Sequence, residues 1–503
     1  MARIEAKVME PGANYLGQNL ALPQPTNKWR ISQFSFGVHE DVKSNRLNEE
    51  PVEDKFLEIA LRFPRLLRSW AYGRGLDGMR SLSVATQVVA PVHGTLDLLV
   101  IAEWLPAPDR QAGLLRLSGL LEILAARYRV HFFTCKVLDQ ILNYGMNAVA
   151  AYEASLRKLG ITVHYGDHVV LNRVLHRNRF AIVLFEHYRF AEPYIDQVRL
   201  SQPQARTVID TIDINFERLQ SKARATGKRS DLKRARREKV AELAAYRRCD
   251  VVIAISDQDR ATLLREDSNL TVDVIPLIIQ VPELRPPRTW SSANGSSCSL
   301  LFVGNFEHTA NVDAILLFCA TIFPGIKAEI PYARLKVVGN GPPEAVRNLA
   351  NKDVQVLGFV PDIGPYYANS DISVAPLTWG GGLKGKVAEA MGYGLPVVAT
   401  TIATDGFGLH PGEDVVLGDT PAEFISGVVK LHKDRSYYER ISANGRKFVD
   451  ANYSWNAIKT RVDTVFQNVE RAPIGKPPLR KLLGRQAADL MHRHILWRLR
   501  RNN

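Results

Sequence analysis

Short, nearly continuous apolar runs recur along this chain, and each is followed by a loop and then by a segment of helical periodicity. LDLLVIAEW begins at Leu96, FAIVLFEHY spans Phe180 to Tyr188, and Thr207 to Asp210 and the run in CDVVIAISDQDRATLL follow. A second series starts at Leu300 (LLFVGNFEHTANVDAI) and continues through Leu335 to Val338 and Ile372 to Ala375. A strand with apolar side chains on both faces must be covered on both, so such runs predict parallel sheets with helices on each side. Between the two series lies RTWSSANGSSCS, Arg288 to Ser299, a break in composition. At 503 residues the chain is too long for one core. The expectation is an α/β protein with two doubly wound domains, at 93–290 and 291–452.

In sheets of this kind ligands bind beyond the carboxyl ends of the strands, so the residues just after each run are the candidates for chemistry. After the first run come Asp109, Arg110 and Gly113, before a helix from about Leu114 to Arg127. His187, Asp210 and Asp213 fall at or just after later strand ends. In the second series Gly304 and Asn305, then Gly339, Asn340 and Gly341, then Val360 in the loop Gly358 to Asp362, occupy the equivalent places. Each glycine signal is weak alone; together they put bare backbone along one rim.

The strand Ile372 to Ala375 leads into WGGGLKGKVAEAMGYGLPVVAT, which begins at Trp379. Gly380, Gly381 and Gly382 allow close approach of backbone to an anion, and the following helix points free N–H groups at it. Lys384 and Lys386 in the first turn oppose the helix dipole unless a negative ligand sits between them. Glu389, about one and a half turns on, is placed for ribose or sugar hydroxyls. The bland alternative is a glycine-rich turn before an ordinary amphipathic helix. Asp257 and Asp259 form an Asp-x-Asp, but behind Ser256 they read as an N-cap and acids in a first turn, not as metal ligands.

Charge points to an anionic partner without choosing one. The formal net charge is +13. Between residues 218 and 239 there are ten Lys/Arg against Asp231 and Glu238, which fits a solvated helix face or a contact with a membrane surface or acidic acceptor. No interleaved aromatics support nucleic acid. Residues 1–92 read as an extension or linker, and 53–72 as short amphipathic helices broken at Pro64. The tail 471–503 carries nine Lys/Arg against Asp489, with Leu479, Leu482, Leu483, Leu490 and Ile495 on one face; it fits an interfacial helix on an anionic bilayer or a solvated helix. No run of 18 or more apolar residues and no secretory h-region is seen, and Cys135, Cys249, Cys298 and Cys319 are scattered. The expected location is the cytoplasm, with the tail as a peripheral attachment to the inner face of the membrane.

On FVGNFEHTANVDAI, VVGNGPP, LGFVPDIGPYYANSDISVAPL, GGGLKGKVAEAMGYGLPVVAT and the closing YSW, the chain resembles the retaining glycosyltransferases of the GT-B fold, family 4. The resemblance covers about Leu96 to Glu470. It implies two Rossmann-like domains facing a cleft, a nucleotide-sugar donor on the second, a glycan or lipid-linked acceptor on the first, and a helix at 453–470 crossing back. It places Gly339 to Gly341 and Val360 at the nucleoside, Glu389 at the ribose, and Gly381 and Gly382 at the diphosphate or sugar. Two departures stand out. Gly381 occupies the position of the first of two glutamates common in the family, and Asn305 and His308 stand where an Arg and a Lys are usual. Lys384 and Lys386 are then the expected source of phosphate-binding charge, with no metal or other cofactor, and Asp213 or His187 the candidate base. Two alternatives share the fold: a sugar-nucleotide epimerase and an inactive scaffold that binds membrane or a partner.

Overall fold

The computed structural model describes residues 96–282 and 298–475, all within one compact unit that spans residues 59–503. The readings of the N-terminal extension and of most of the basic tail lie outside the described residues.

Seven parallel strands form the first sheet: β1 Asp97–Ala102, β2 Arg129–Thr134, β3 Thr162–Tyr165, β4 Ile182–Glu186, β5 Arg206–Asp210, β6 Val251–Ala254 and β7 Val272–Val274, in the order β3-β2-β1-β4-β5-β6-β7. Six make the second: β8 Cys298–Val303, β9 Ala333–Val338, β10 Val354–Gly358, β11 Ile372–Ala375, β12 Val397–Ala399 and β13 Val416–Leu417, in the order β10-β9-β8-β11-β12-β13. Each order reverses once, between β1 and β4 and between β8 and β11, where Leu98 faces Ile182 and Ile372 faces Leu300. The loops that leave a sheet at such a point diverge to opposite faces and open a crevice.

Burial follows the sequence pattern. All six residues of β1 are buried. On one face of the first sheet Leu117, Leu120, Leu121 and Leu124 from the helix Ala112–Ala125 share a core with Ile458, Val462, Val465, Phe466 and Val469 from the helix Trp455–Arg471. On the other face the helices His168–Arg177, Tyr188–Ser201 and Arg229–Tyr246 contribute Leu171, Ile195, Val198, Leu243 and Tyr246. The last helix thus begins beside the second domain and ends on the first. Ile279 donates its N–H to Tyr453 O (2.8 Å), and Glu470 accepts from Arg127 (2.8 Å).

Two regions differ from expectation. The segment between β2 and β3 holds two helices, Val137–Tyr144 and Met146–Lys158, and Gly145 between them has φ 82, a conformation glycine adopts at low cost. The basic run is two helices, Asn215–Thr226 and Arg229–Tyr246, separated at Gly227 in the left-handed region (φ 64). The 21-residue run Thr309–Glu329 is long and apolar enough to cross a membrane by composition. Here its Ala314, Ile315, Phe318, Ile322, Phe323 and Ile326 pack in the core of the second sheet.

Candidate active site

The carboxyl ends of the two sheets face each other across a cavity of about 880 Å³. From the first domain it is lined by Asp109 to Gly113, Asp213 and Arg218; from the second by Gly304, Asn305, Gly339, Asn340, Val360, the loop Trp379 to Lys384, Lys386 and Glu389. Loops that lie far apart in the chain therefore converge because each follows a strand of a parallel sheet.

The helix Gly385–Gly392 starts at the floor of this cavity. Its N-cap is Lys384, whose side chain makes no capping hydrogen bond, so the first turn keeps backbone N–H groups without an intrahelical acceptor. Lys386 Nζ donates to Asn311 Oδ1 (2.5 Å) and lies 4.8 Å from the ring centroid of Phe302. Asn311 is itself held by Asn305 O, to which its Nδ2 donates (2.7 Å). Glu389 Oε2 accepts from the Tyr367 hydroxyl (3.0 Å), and the Tyr367 ring stacks on Tyr393 with centroids 5.1 Å apart. Burial, together with the like charge of Lys384, pushes the Lys386 ammonium down to about 7, while Glu389 pulls it up. Burial raises the Glu389 carboxyl, opposed by Tyr367 and Lys386. Burial thus makes the charged forms of both groups costly, and an anion beside Lys386 would favour its ammonium.

The two lysines are not equivalent. Lys384 is 9% exposed and folds back on its own loop, donating to Gly382 O (2.6 Å). Burial lowers its affinity for a proton, and Asp405, Asp259 and Asp213 raise it. It braces the glycine loop, whereas Lys386 reaches the second-domain wall.

The glycines are needed for different reasons. A Cβ on Gly339 would lie 1.7 Å from Gly304 O, so the loops after β8 and β9 touch through bare backbone. A Cβ on Gly381 would lie 2.6 Å from Arg218 Cβ, and one on Gly382 would lie 2.8 Å from Asp213 Cβ. The expected anion loop is also a contact between domains: it presses on the chain around Asp213 and the helix Asn215–Thr226, and Gly380 N donates to Ser221 Oγ (3.1 Å). A glutamate at position 381 has no room in this arrangement.

Other expected residues separate. Gly341 (φ 63) turns the loop but does not line the cavity. His187 does not line it either. Its φ is 71, it caps the helix Tyr188–Ser201 by accepting from Arg189 N (3.4 Å), and burial holds its imidazole down near 4. It thus sits outside the cavity as the cap of a helix. Asp210 is buried in an ion pair with Arg116, which also donates to Ile275 O and Pro276 O, so it anchors the sheet. Asp213 lines the cavity 3.0 Å from Arg218 Nε. Asp109 accepts from the Tyr152 hydroxyl (2.6 Å), and Arg110 lies 3.7 Å from the centroid of Phe359 on the opposite wall. Gly113 would carry its Cβ 3.4 Å from Ile212. Ser256 Oγ accepts from Asp259 N (3.0 Å), the capping geometry read from the sequence. Among the described residues, no group of three or more His, Cys, Asp or Glu is arranged to hold a metal ion. The sequence reading did not assign Asn311 and Tyr367 to the site, nor Arg218, Lys222 and Arg234 of the basic run to the cavity wall.

Comparison with known proteins agrees with this geometry. Residues 297–434 match the family described as glycosyl transferases group 1. An uncharacterized 44.6 kDa protein in the cps region of Klebsiella pneumoniae is 25% identical over 166 residues, 31% of this chain and 43% of that protein, so the chain matches less than half the length of this relative. Sucrose-phosphate synthase of Thermosynechococcus elongatus superposes with a TM-score of 0.54 at 17% identity, covering 74% of this chain and 99% of that one. Alr3699/HepE of Anabaena, solved with UDP and glucose, gives 0.56 at 14% identity, covering 74% and 100%. TarM gives 0.53 at 9% identity, covering 75% and 99%. At these identities the likeness speaks to fold, and the fold is GT-B: two Rossmann-like α/β domains across a cleft.

Proposed function

We propose that the chain is a glycosyltransferase that moves a sugar from a nucleotide-sugar donor to a glycan or lipid-linked acceptor with retention of anomeric configuration, in cell-surface polysaccharide synthesis. The observation that carries this is the floor of the cleft. A helix N-terminus, the Lys386 ammonium and the Glu389 carboxyl meet there under loops of bare backbone. The match of residues 297–434 to glycosyl transferases group 1 and the relative from a cps region support it. HepE was solved with UDP and glucose, which supports a nucleotide-sugar as the donor.

Breaking the anomeric C–O bond moves negative charge onto the leaving diphosphate and leaves the sugar oxocarbenium-like. Donors already aimed at that charge lower the barrier most. In this reading Lys386 and the N–H groups opening the helix Gly385–Gly392 take that part, Lys384 holds the loop that presents them, and Glu389 accepts from the donor's ribose hydroxyls. This charge stabilisation asks for no metal. The acceptor hydroxyl attacks from the face the diphosphate leaves, with Asp213 as the group on the acceptor wall able to take its proton. The reading places the protein in the cytoplasm, with the tail at the inner face of the membrane.

The test is substitution in the floor. Glu389→Ala and Lys386→Ala should each lower transfer by about two orders of magnitude or more, with melting temperatures near that of the wild type. Near-normal turnover in either variant would remove the assignment.

A further inference from the structure

Lys386 is held from the facing wall of its own domain. Asn311 lies buried in the first turn of the helix Thr309–Leu317. Its amide uses both ends. Nδ2 donates to Asn305 O (2.7 Å), and Oδ1 accepts from Lys386 Nζ (2.5 Å). The surroundings dictate this orientation: a reversed amide would set its oxygen against the Asn305 carbonyl and its NH2 against the ammonium. Gly304 makes room for it, since a Cβ there would lie 2.9 Å from Asn311 Cγ. A bare backbone position, a carbonyl and an amide thus converge to fix one lysine.

The group that holds Lys386 is neutral, and this decides what becomes of the lysine's charge. The charged and titratable groups around Lys386 are Lys384 on its own loop, Glu389 on its own helix and His308 at the start of the facing helix. Lys384 is taken by Gly382 O, and Glu389 accepts from Tyr367. Burial works against the charged form of His308. Lys386 lines the cavity, and Asn311 takes one of the three N–H donors of its ammonium, leaving the others for a ligand. The Phe302 ring, 4.8 Å away, favours the charged form. A carboxylate at position 311 would neutralise the ammonium and compete with a bound anion. An apolar side chain there would release the lysine to its rotamers.

We propose that Asn311 is a positioning residue for the donor: a neutral tether that aims Lys386 at the diphosphate without cancelling its charge. This rests on the glycosyl-transfer reading, which puts a diphosphate in the cleft. Asn311 acts through Lys386 and not on the reacting atoms.

NMR and calorimetry on the full chain test the tether. The lysines carry a label at Cε, Lys386→Arg assigns the signal, and the ligand is the tightest binder of UDP, GDP and dTDP. In the wild type the Asn311 side-chain amide signal should shift with the same pH midpoint as the Lys386 Cε signal, and both should move when the diphosphate binds. Asn311→Asp should make Lys386 hold its proton about tenfold or more tighter. Binding at pH 8 should then take up almost no proton and weaken about tenfold or more. Asn311→Leu removes the tether without adding charge, so proton uptake should persist while affinity falls about tenfold. Wild-type midpoints that disagree overturn the proposal, as does affinity within about twofold of the wild type in both variants. So does an Asn311→Asp variant that loses affinity with proton uptake unchanged, the mark of a merely structural residue. Where a variant does not fold, the wild-type midpoints decide. If no nucleoside diphosphate binds the wild type, but the midpoints coincide and Asn311→Asp tightens the proton on Lys386, the glycosyl-transfer reading falls and the tether stands.

Discussion

Lys386 carries the pH dependence this site should show. Burial holds its ammonium near 7. A diphosphate beside it favours the charged form and raises that value. Below about pH 7 the lysine is charged with or without ligand, so affinity is level; above it the empty site has lost a proton that binding must restore, so affinity falls as pH rises. UDP binding at pH 8 should therefore take up close to one proton, read by calorimetry in two buffers of different ionisation enthalpy. No uptake would mean that Lys386 does not meet the diphosphate. The two lysines two positions apart looked alike in the sequence. Their difference comes from Gly382 O, which takes the ammonium of Lys384, and from Asn311, which takes that of Lys386 across 75 residues. Glu389 was legible because its spacing from the loop fixes its place on the helix. Gly339 was visible as a glycine, but the carbonyl it must clear, Gly304 O, belongs to another loop.

At the scale of elements, the loop from Gly380 to Gly382 does more than present backbone to an anion. It is where the second domain rests on the helix Asn215–Thr226. Gly381→Glu would introduce a carboxylate at the donor loop while pushing a side chain into Arg218. Transfer should drop about tenfold or more, and the radius of gyration in solution should rise as the cleft opens, with little change in melting temperature, because opening relieves the clash without unfolding either core. Turnover at the wild-type level with an unchanged radius would show that the loop yields instead. The central strands of both sheets, β1, β4, β8 and β11, were legible because they carry nearly continuous apolar runs and are largely buried. Val137–Tyr144 and His168–Arg177 were not, since helices of 8 and 10 residues are shorter than the window in which a helical period separates from a strand or loop. Periodicity also could not say which side of the basic hairpin meets the cleft, since that depends on the turn at Gly227 and the buried Glu242.

Over the whole molecule, two sheets with one reversal each present their switch points to a common cleft, and the helix Trp455–Arg471 ties the end of the second domain to the core of the first. Phe466 is fully buried in that core. Phe466→Ala should cost about 3–5 kcal/mol, seen as a lower midpoint in urea unfolding; a shift under about 1 kcal/mol would mean the helix is not an integral part of the first domain. Two doubly wound α/β domains were readable from pattern and the helix crossing back from the resemblance, whereas the donor sugar, its base and the acceptor depend on side chains meeting across the cleft. The most direct measurement is therefore incubation of the purified chain with a panel of UDP-, GDP- and dTDP-sugars, following free nucleoside diphosphate and the anomeric form of the released sugar by NMR. The account predicts that one nucleotide class is hydrolysed slowly and that the freed sugar first appears in the donor's own anomeric configuration. Absence of both binding and release across the panel, or conversion of the donor to an epimer with its diphosphate intact, would contradict it.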